Sequence, residues 1–174
     1  MLTARQIKKL AKAKTDREII GASAQHPGAG AGLWHDGIGT IIFAEEPDEK
    51  LKEWAAHKGH KFEDATSRAV DYFRNAETTC TKEIYPVEIV GYTDTAGLKT
   101  AQAYIRFVDA GGREEWAKAD YVAAVLKRGA QQFFQGSERA ILAKNGHAVA
   151  LFMPCELRKL STPGWRLSNT ELPI

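Results

Sequence analysis

Apolar positions at helical spacing indicate the first element of the chain. Thr3 and Gln6 have the spacing of a capping box, in which the side chain of each residue bonds to the backbone of the other. Ile7 and Leu10 follow on one helical face, which predicts a helix over residues 4–14 with these two side chains buried.

The next apolar runs predict one strand and two helices. Residues 38–44 are rich in β-branched and aromatic side chains, which is typical of a short strand. A proline and three acidic residues at 46–49 indicate a helix start, and Gly59 indicates the end of that helix. A second apolar stripe predicts a longer helix over residues 62–75.

From residue 84 onward the apolar pattern changes to a period of two, which is the period of a β-strand. Three such runs between residues 84 and 119, separated by turns that contain glycine, predict an antiparallel meander. A helix with Asp120 as its N-cap and Gly129 just beyond its end is expected to follow.

The clearest turn is Asn145-Gly146, the preferred dipeptide of a type I′ hairpin turn, because both residues of that turn take positive φ. It predicts a hairpin within residues 137–155, in which Leu142 faces Val149 across the two strands. Both faces of this hairpin are apolar. The pair is therefore expected at the centre of the sheet, with other elements packed on each side.

Some side chains of the meander have expected positions. Glu115 and Arg106 are expected to be cross-strand partners on its surface. Tyr104 and Phe107 resemble the aromatic platforms on which single-stranded nucleic acid stacks, but they point to opposite faces, so only one is expected to be exposed. Phe107 is expected in the core.

These elements predict a single α+β domain. Its sheet is expected to be mainly antiparallel, with about five to six strands including a hairpin at 138–153, and with the N-terminal and middle helices packed on it. Residues 1–160 are expected to form the domain, and residues 161–174 a C-terminal tail or closing loop.

Composition places the chain among ordinary globular proteins. A length of 174 residues suits one domain, and 44% hydrophobic with 26% charged residues is far from the composition of disordered chains. The formal net charge of +2 is too small for a general nucleic-acid binder, so any basic site is expected to be local. Cys80 and Cys155 form no C-x-x-C pair, which favours reduced thiols and a cytoplasmic location. No secretory signal or membrane span is expected.

Basic residues concentrate in the first predicted helix. Arg5, Lys8 and Lys12 share one sector at i, i+3 and i+7 spacing, opposite Ile7 and Leu10. Such a stripe can bind phosphates or an acidic protein, whereas a solvated lysine face is the more common explanation. These three residues are the candidate partner-binding residues.

Glycine is dense between residues 26 and 39, and Gly28, Gly30 and Gly32 are the candidate residues of a phosphate or cofactor loop. The run QHPGAG at 25–30 resembles the Q-x-x-G-x-G pattern with which acyl-CoA-binding acetyltransferases hold a pyrophosphate. Here a helix precedes the loop and a strand follows it, the reverse of that arrangement. A flexible connection is therefore favoured, and no cofactor is expected.

Histidines also concentrate in the first third of the chain, and His35, His57 and His60 are the candidate metal ligands. His57 and His60 would lie on one helical face, with His35 completing the shell. Gly59 lies between them and is expected to end the helix. Solvated histidines near a helix end are therefore favoured.

No strong catalytic motif is present, so we expect a small intracellular, non-enzymatic binding or regulatory protein that acts on a protein or nucleic-acid partner. An accessory or inhibitor protein of a phage or mobile element fits this description. The alternative is an enzyme that uses the loop at 28–32 and the nearby histidines for metal-assisted hydrolysis or for transfer from a phosphate-containing cofactor. A strand edge of the meander offers a route to a homo-oligomer.

Overall fold

The computed structural model describes residues 1–13, 16–17, 19, 30–31, 34–35, 41–45, 48–59, 63–64, 67–94, 100–155 and 165–169. Its helices are α1 (Ala4–Leu10), α2 (Glu49–His57), α3 (Ser67–Thr79) and α4 (Ala119–Lys127). Its strands are β1 (Gly30–Ala31), β2 (Trp34–His35), β3 (Ile41–Phe43), β4 (Glu63–Asp64), β5 (Lys82–Asp94), β6 (Thr100–Asp109), β7 (Glu114–Lys118), β8 (Gln132–Gln135), β9 (Ile141–Asn145), β10 (His147–Phe152) and β11 (Trp165–Asn169).

The predicted α+β class with a mainly antiparallel sheet is confirmed. In the described part of the chain, nine strands form one antiparallel sheet in the order β2-β3-β10-β9-β8-β5-β6-β7, and β11 pairs with β5. Strands β1 and β4 form a separate parallel pair. The sheet has more strands than the five to six expected, because β2, β8 and β11 are only two to five residues long and lie outside the runs from which strands are predicted.

The sheet curls, so that β7 and the end of β10 approach one another. In the strand order β7 lies five positions from β10, which would separate them by about 24 Å in a flat sheet. Yet the backbone N–H of Cys155, three residues beyond Phe152, donates to the Trp116 carbonyl at 2.7 Å. Three residues span at most about 10 Å, so the sheet between them must bend.

The concave face of this sheet carries the larger core. Phe133 lies 5.1 Å from Phe107 and 6.5 Å from Phe152, measured between ring centroids, although each pair is separated by an intervening strand. Val122 and Val125 of α4 are fully buried in the same cluster. This helix therefore packs on the concave face, where the aromatic side chains converge.

The opposite, convex face is covered at the centre of the sheet by α3. Phe73 and Ala76 of this helix form a second buried cluster with Leu142 and Leu151 of the β9–β10 hairpin. Ile141 of the same hairpin belongs to the concave core. The prediction that the hairpin lies centrally with both faces packed is confirmed.

The predicted register of the hairpin is wrong by two residues. Leu142 lies opposite Leu151 rather than Val149. One residue of this difference arises because Asn145 pairs with His147 beside the turn, and the other because Val149 is the extra residue of a bulge between Ala148 and Ala150. The predicted type I′ turn is also wrong. Of the two turn residues only Gly146 has positive φ, at 71°.

The capping box that starts α1 is confirmed. The backbone N–H of Thr3 donates to Oε1 of Gln6 at 2.8 Å, and the backbone N–H of Gln6 donates to Oγ1 of Thr3 at 3.2 Å. Leu10 is fully buried as expected, but Ile7 is 39% exposed, so its predicted burial is wrong. Leu2 fills the core position at the other end of this short helix.

Two further helix boundaries differ from the prediction. α3 covers Ser67–Thr79 rather than 62–75, because residues 63–64 form β4 and the hydroxyls of Thr78 and Thr79 both donate to the Asn75 carbonyl inside the helix. In α4 the N-cap is Lys118, and Asp120 lies in the first turn, because β7 continues directly into the helix. The predicted capping role of Asp120 is therefore wrong.

Other predicted boundaries are confirmed. Asp48 caps α2 by accepting from the Leu51 backbone N–H at 2.7 Å, and Gly59 follows the helix with a φ of 80°. Gly129 follows α4 with a φ of 83°. Within the predicted C-terminal tail, Trp165–Asn169 is strand β11, and the predicted division of the chain at residue 160 stays a prediction.

Candidate functional site

The predicted basic stripe lies on the surface of the molecule. Arg5, Lys8 and Lys12 are exposed, and Lys9 beside them is partly buried. Arg5 to Lys9 belong to α1, and Lys12 lies in the turn that follows it. We call these four residues the basic surface. They extend over about 10 Å along α1 and the turn that follows it.

No carboxylate within the described residues pairs with the basic surface. Residues 1–13 contain four lysine or arginine residues and no aspartate or glutamate. Elsewhere in the described chain basic side chains do pair with carboxylates, namely those of Lys52, Lys82, Arg106, Lys127, Arg128 and Arg139. The positive charge of α1 is therefore directed to solvent.

Packing of α1 on the body of the protein orients the basic surface. The backbone N–H of Leu2 donates to the Pro86 carbonyl of β5 at 3.2 Å, and the fully buried Leu10 anchors the other end of the helix. α1 also packs against α4. Leu2 and Leu10 thus fix one side of this segment to the protein, so that the charged side chains lie on the opposite side.

A buried ionic network fixes the chain just after α1. The guanidinium of Arg128 donates to both carboxylate oxygens of Asp16, at 2.9 and 3.1 Å. It also donates to Glu45 and lies 4.3 Å from the ring centroid of Phe43. The side chains of Arg128 and Asp16 are only 12% and 11% exposed, so their charges compensate each other inside the protein.

The structure describes only one of the candidate loop glycines. Gly30 lies in β1, opposite Glu63 of β4. Gly28 and Gly32 lie outside the described residues. The phosphate or cofactor loop therefore stays a prediction.

The candidate metal ligands are likewise only partly described. His35 lies in β2 opposite Ile42 of β3, and His57 is exposed at the end of α2. His60 lies outside the described residues. Across the described ranges, no group of three or more histidine, cysteine, aspartate or glutamate side chains is placed to hold a metal ion. Metal binding by the three histidines stays a prediction.

Sequence reasoning missed a buried polar cluster at one end of the concave face. Asp109, Glu115 and Gln135 are three of the four buried polar residues in the described chain. Arg139 donates to both carboxylate oxygens of Glu115, at 2.9 and 3.1 Å, and Gln135 donates to the Arg139 carbonyl at 3.1 Å. Asp109 pairs with Lys82. No sequence motif indicated this cluster, because its members come from different strands.

The predicted pair of Arg106 and Glu115 is wrong. Arg106 lies between Glu88 and Glu114, with N–O distances of 2.7 and 2.8 Å. Adjacent residues of a strand point to opposite faces, so Glu115 instead enters the concave face.

Arg139 combines this pairing with an unusual backbone conformation. Its φ of 68° is the only positive value of a non-glycine residue in the described part of the chain. It lies in the loop between β8 and β9, which the Gly136 N–H closes by donating to the Ala140 carbonyl at 3.1 Å. Since β9 and β7 are four positions apart in the sheet, the Glu115–Arg139 pair bridges the curl. We call this pair the curl clamp.

Three titratable side chains, those of Cys80, Cys155 and Asp120, are partly or fully buried and have raised pKa values. Burial raises the pKa of the Cys80 thiol and of the Cys155 thiol. Burial also raises the pKa of Asp120, whose carboxylate lies near Lys118. Because the thiolate is the reactive form of cysteine, these environments do not activate either thiol.

Asp120→Asn is expected to stabilise the protein at neutral pH. Because the folded-state pKa of Asp120 is raised, ionisation of its carboxyl costs stability as the pH rises from the unfolded-state pKa through the folded-state pKa. The variant stays neutral and avoids this cost. Urea unfolding across a pH series should therefore show that the variant has a higher unfolding free energy than the wild type at neutral pH, and that this difference disappears at acidic pH.

Asp109→Asn is the matched control, and it is expected to destabilise the protein at neutral pH. The hydrogen bond from Lys82 is the main cause that lowers the pKa of Asp109, and the backbone N–H of Arg113 contributes as well. Its carboxylate therefore stabilises the fold above the unfolded-state pKa, and this contribution is lost as the pH falls through the folded-state pKa. An equal response of both variants to pH would contradict these assignments.

The meander offers no aromatic platform at its predicted positions. Phe107 is fully buried, which confirms its expected core role, and Tyr104 is only 6% exposed. Strand β7 lies at one end of the described sheet, where its Trp116 carbonyl accepts from Cys155. Dimerisation through this edge stays a prediction.

Comparison with known proteins finds no matching family model, no matching curated protein and no matching solved structure. Among the helices in the described ranges, none is both long and apolar enough to cross a membrane.

Proposed function

We propose that this protein is a non-enzymatic binding protein that uses its basic surface to hold an acidic macromolecular partner. The observation that carries the proposal is the concentration of four cations and no carboxylate in residues 1–13. The partly buried cations Arg128 and Arg139 are matched by carboxylates, whereas Arg5, Lys8 and Lys12 are exposed in a segment without acidic residues.

The use of the buried charges also supports binding rather than catalysis. Asp16 is paired with Arg128, Glu115 with Arg139, and Asp109 with Lys82. A catalytic acid or base needs a proton that it can exchange with a substrate, and these carboxylates are instead engaged in ion pairs. Their contacts join strands and helices, which is a structural role.

Binding by the basic surface should be electrostatic and sensitive to salt. An exposed ion pair contributes only about 0.2–1 kcal/mol, so several must act together. Exposed charges on a rigid helix also increase the rate at which an oppositely charged partner associates, and this effect weakens as ionic strength rises.

Retention on immobilised heparin, a generic polyanion, tests this function. We expect the triple variant Arg5→Glu, Lys8→Glu, Lys12→Glu to elute at clearly lower salt than the wild type, because each substitution replaces an attractive charge with a repulsive one. Circular dichroism should show that the helix content is retained.

A second triple variant serves as the control for overall charge. Lys50, Lys58 and Arg74 are exposed on α2, just after α2 and on α3, respectively. Replacing them with glutamate changes the net charge by the same amount. If both triple variants lose retention equally, the position of the charges does not matter and the proposed role of α1 is refuted.

A further inference from the structure

Resting on the proposed function, we propose that the partner is the phosphate backbone of double-stranded nucleic acid, bound without reading the base sequence. The residues that carry this inference are those of the basic surface together with their neighbours on α1.

The residue types of the basic surface suit phosphates better than a protein partner. Three of its four cations are lysines, and Ala4 and Ala11 lie beside them. Cores of protein interfaces are enriched in aromatic residues, methionine and arginine and depleted of lysine and alanine. Lysine is a compact point charge that contacts phosphate without requiring a fixed geometry.

The dimensions of the basic surface match a duplex backbone. From Arg5 to Lys12, α1 and the turn that follows it advance together by about 10 Å. One strand of duplex DNA carries one phosphate per about 3.4 Å of axis, so this length covers about three phosphates of one strand. Three to four cations can therefore be neutralised together by one backbone.

Sequence readout requires several side chains that make bidentate contacts to bases, and on α1 only the exposed Arg5 is of a suitable type and without a described partner. Specific contacts to bases are typically bidentate and come from arginine, asparagine or glutamine. Gln6 is the only amide side chain of α1, and its Oε1 accepts from Thr3 in the capping box. The helix therefore contacts the backbone and is not expected to distinguish base sequences.

Single-stranded nucleic acid and lipid surfaces are less well matched. Single strands need exposed aromatic side chains, but Tyr104 and Phe107 are buried, and the hydroxyl of the partly exposed Tyr85 donates to Glu83, whose carboxylate would repel phosphate. Insertion into a lipid surface needs an apolar helix face. Leu2 and Leu10 belong to the protein core, so Met1 and Ile7 are the only large apolar side chains of residues 1–13 that are exposed, too few for such a face.

Fluorescence anisotropy with two labelled duplexes of unrelated sequence tests the inference. We expect equal affinity for both, and a slope of log K against log salt of about −2.7 to −3.6 for three to four neutralised phosphates. Affinity should then fall roughly 40- to 150-fold between about 50 and 200 mM salt. Lys8→Gln should make the slope shallower by about one, while Lys58→Gln should leave it unchanged.

Heparin retention separates failure of this inference from failure of the proposed function. If α1-dependent heparin retention is observed but neither duplex binds, the nucleic-acid inference is overturned and the binding function remains. If retention does not depend on α1, both are overturned. Stronger binding to a labelled single strand or to vesicles of phosphatidylcholine and phosphatidylserine than to a duplex, or a preference for one duplex sequence, would also overturn the inference.

Discussion

Arg139→Met is expected to lower the free energy of unfolding by about 3 kcal/mol at neutral pH, because it leaves the carboxylate of Glu115 buried without its cation. The Glu115 side chain is only 5% exposed, whereas the Arg139 side chain is 40% exposed. Breaking a fully buried pair costs about 3–5 kcal/mol, and partial exposure of the guanidinium places this pair at the lower end. Urea denaturation followed by tryptophan fluorescence measures the loss.

Two further variants separate the curl clamp from backbone strain. Arg139→Gly also removes the cation but suits the φ of 68°, so it should be less destabilising than Arg139→Met by about 1 kcal/mol. The double variant Glu115→Leu, Arg139→Met replaces the pair with apolar side chains and should recover most of the lost stability. If the double variant is as unstable as the sum of its single changes, the pair is not the coupled unit that the structure indicates.

Phe152→Ala is expected to cost about 3–5 kcal/mol of unfolding free energy, which is the range for removing a large aromatic side chain from a packed core. Phe152 is 1% exposed, and its ring lies 6.4 Å from that of Tyr121 and 6.5 Å from that of Phe133. It thus joins α4 to the concave face. Calorimetry should show a single transition at a much lower midpoint temperature.

Phe134→Ala is the matched control in the same sheet. Phe134 is only partly buried and belongs to the cluster on the convex face, where Lys144 lies 5.6 Å from its ring. We expect this variant to lose much less unfolding free energy than Phe152→Ala, because folding removes less apolar area of the partly buried Phe134 from water. Equal losses for the two variants would show that the concave face is not the main core.

The curl of the sheet explains why the buried polar groups are structural and why the candidate binding residues lie elsewhere. Glu115, Arg139 and Gln135 satisfy one another across the gap between β7 and β9. The concave interior is filled by aromatic and aliphatic side chains. The proposed partner would therefore meet the outer surface, where the basic surface carries four cations in a segment without acidic residues.

Features that depend on neighbours in sequence could be predicted. The capping box of Thr3 and Gln6, the start of α2 within residues 46–49 and the exposure of the lysine sector all follow from contacts within a few residues. The central hairpin was also predictable, because two apolar faces require packing on both sides. Each of these needs no knowledge of a distant partner.

Features that depend on distant residues could not be predicted. The pairing of Asn145 with His147 and the bulge at Val149 each moved the hairpin register by one residue. A direct transition from β7 into α4 removed the loop in which Asp120 would have been the cap. Glu115 and Arg139 are 24 residues apart in sequence and meet only because the sheet curls. An alternating pattern indicates which face of the sheet a residue occupies, but it does not indicate which residue of the neighbouring strand is its partner.

The sequence by itself determined the α+β class, the central position of the hairpin and the concentration of positive charge in residues 1–13, since periodicity, turn chemistry and charge are properties of the chain. Only the tertiary structure decided that no described carboxylate from a distant segment pairs with Arg5, Lys8 or Lys12, and that Glu115 is buried against Arg139. The physical reason is range: backbone preferences act over a few residues, whereas burial and ion pairing depend on which distant segments the curled sheet brings into contact.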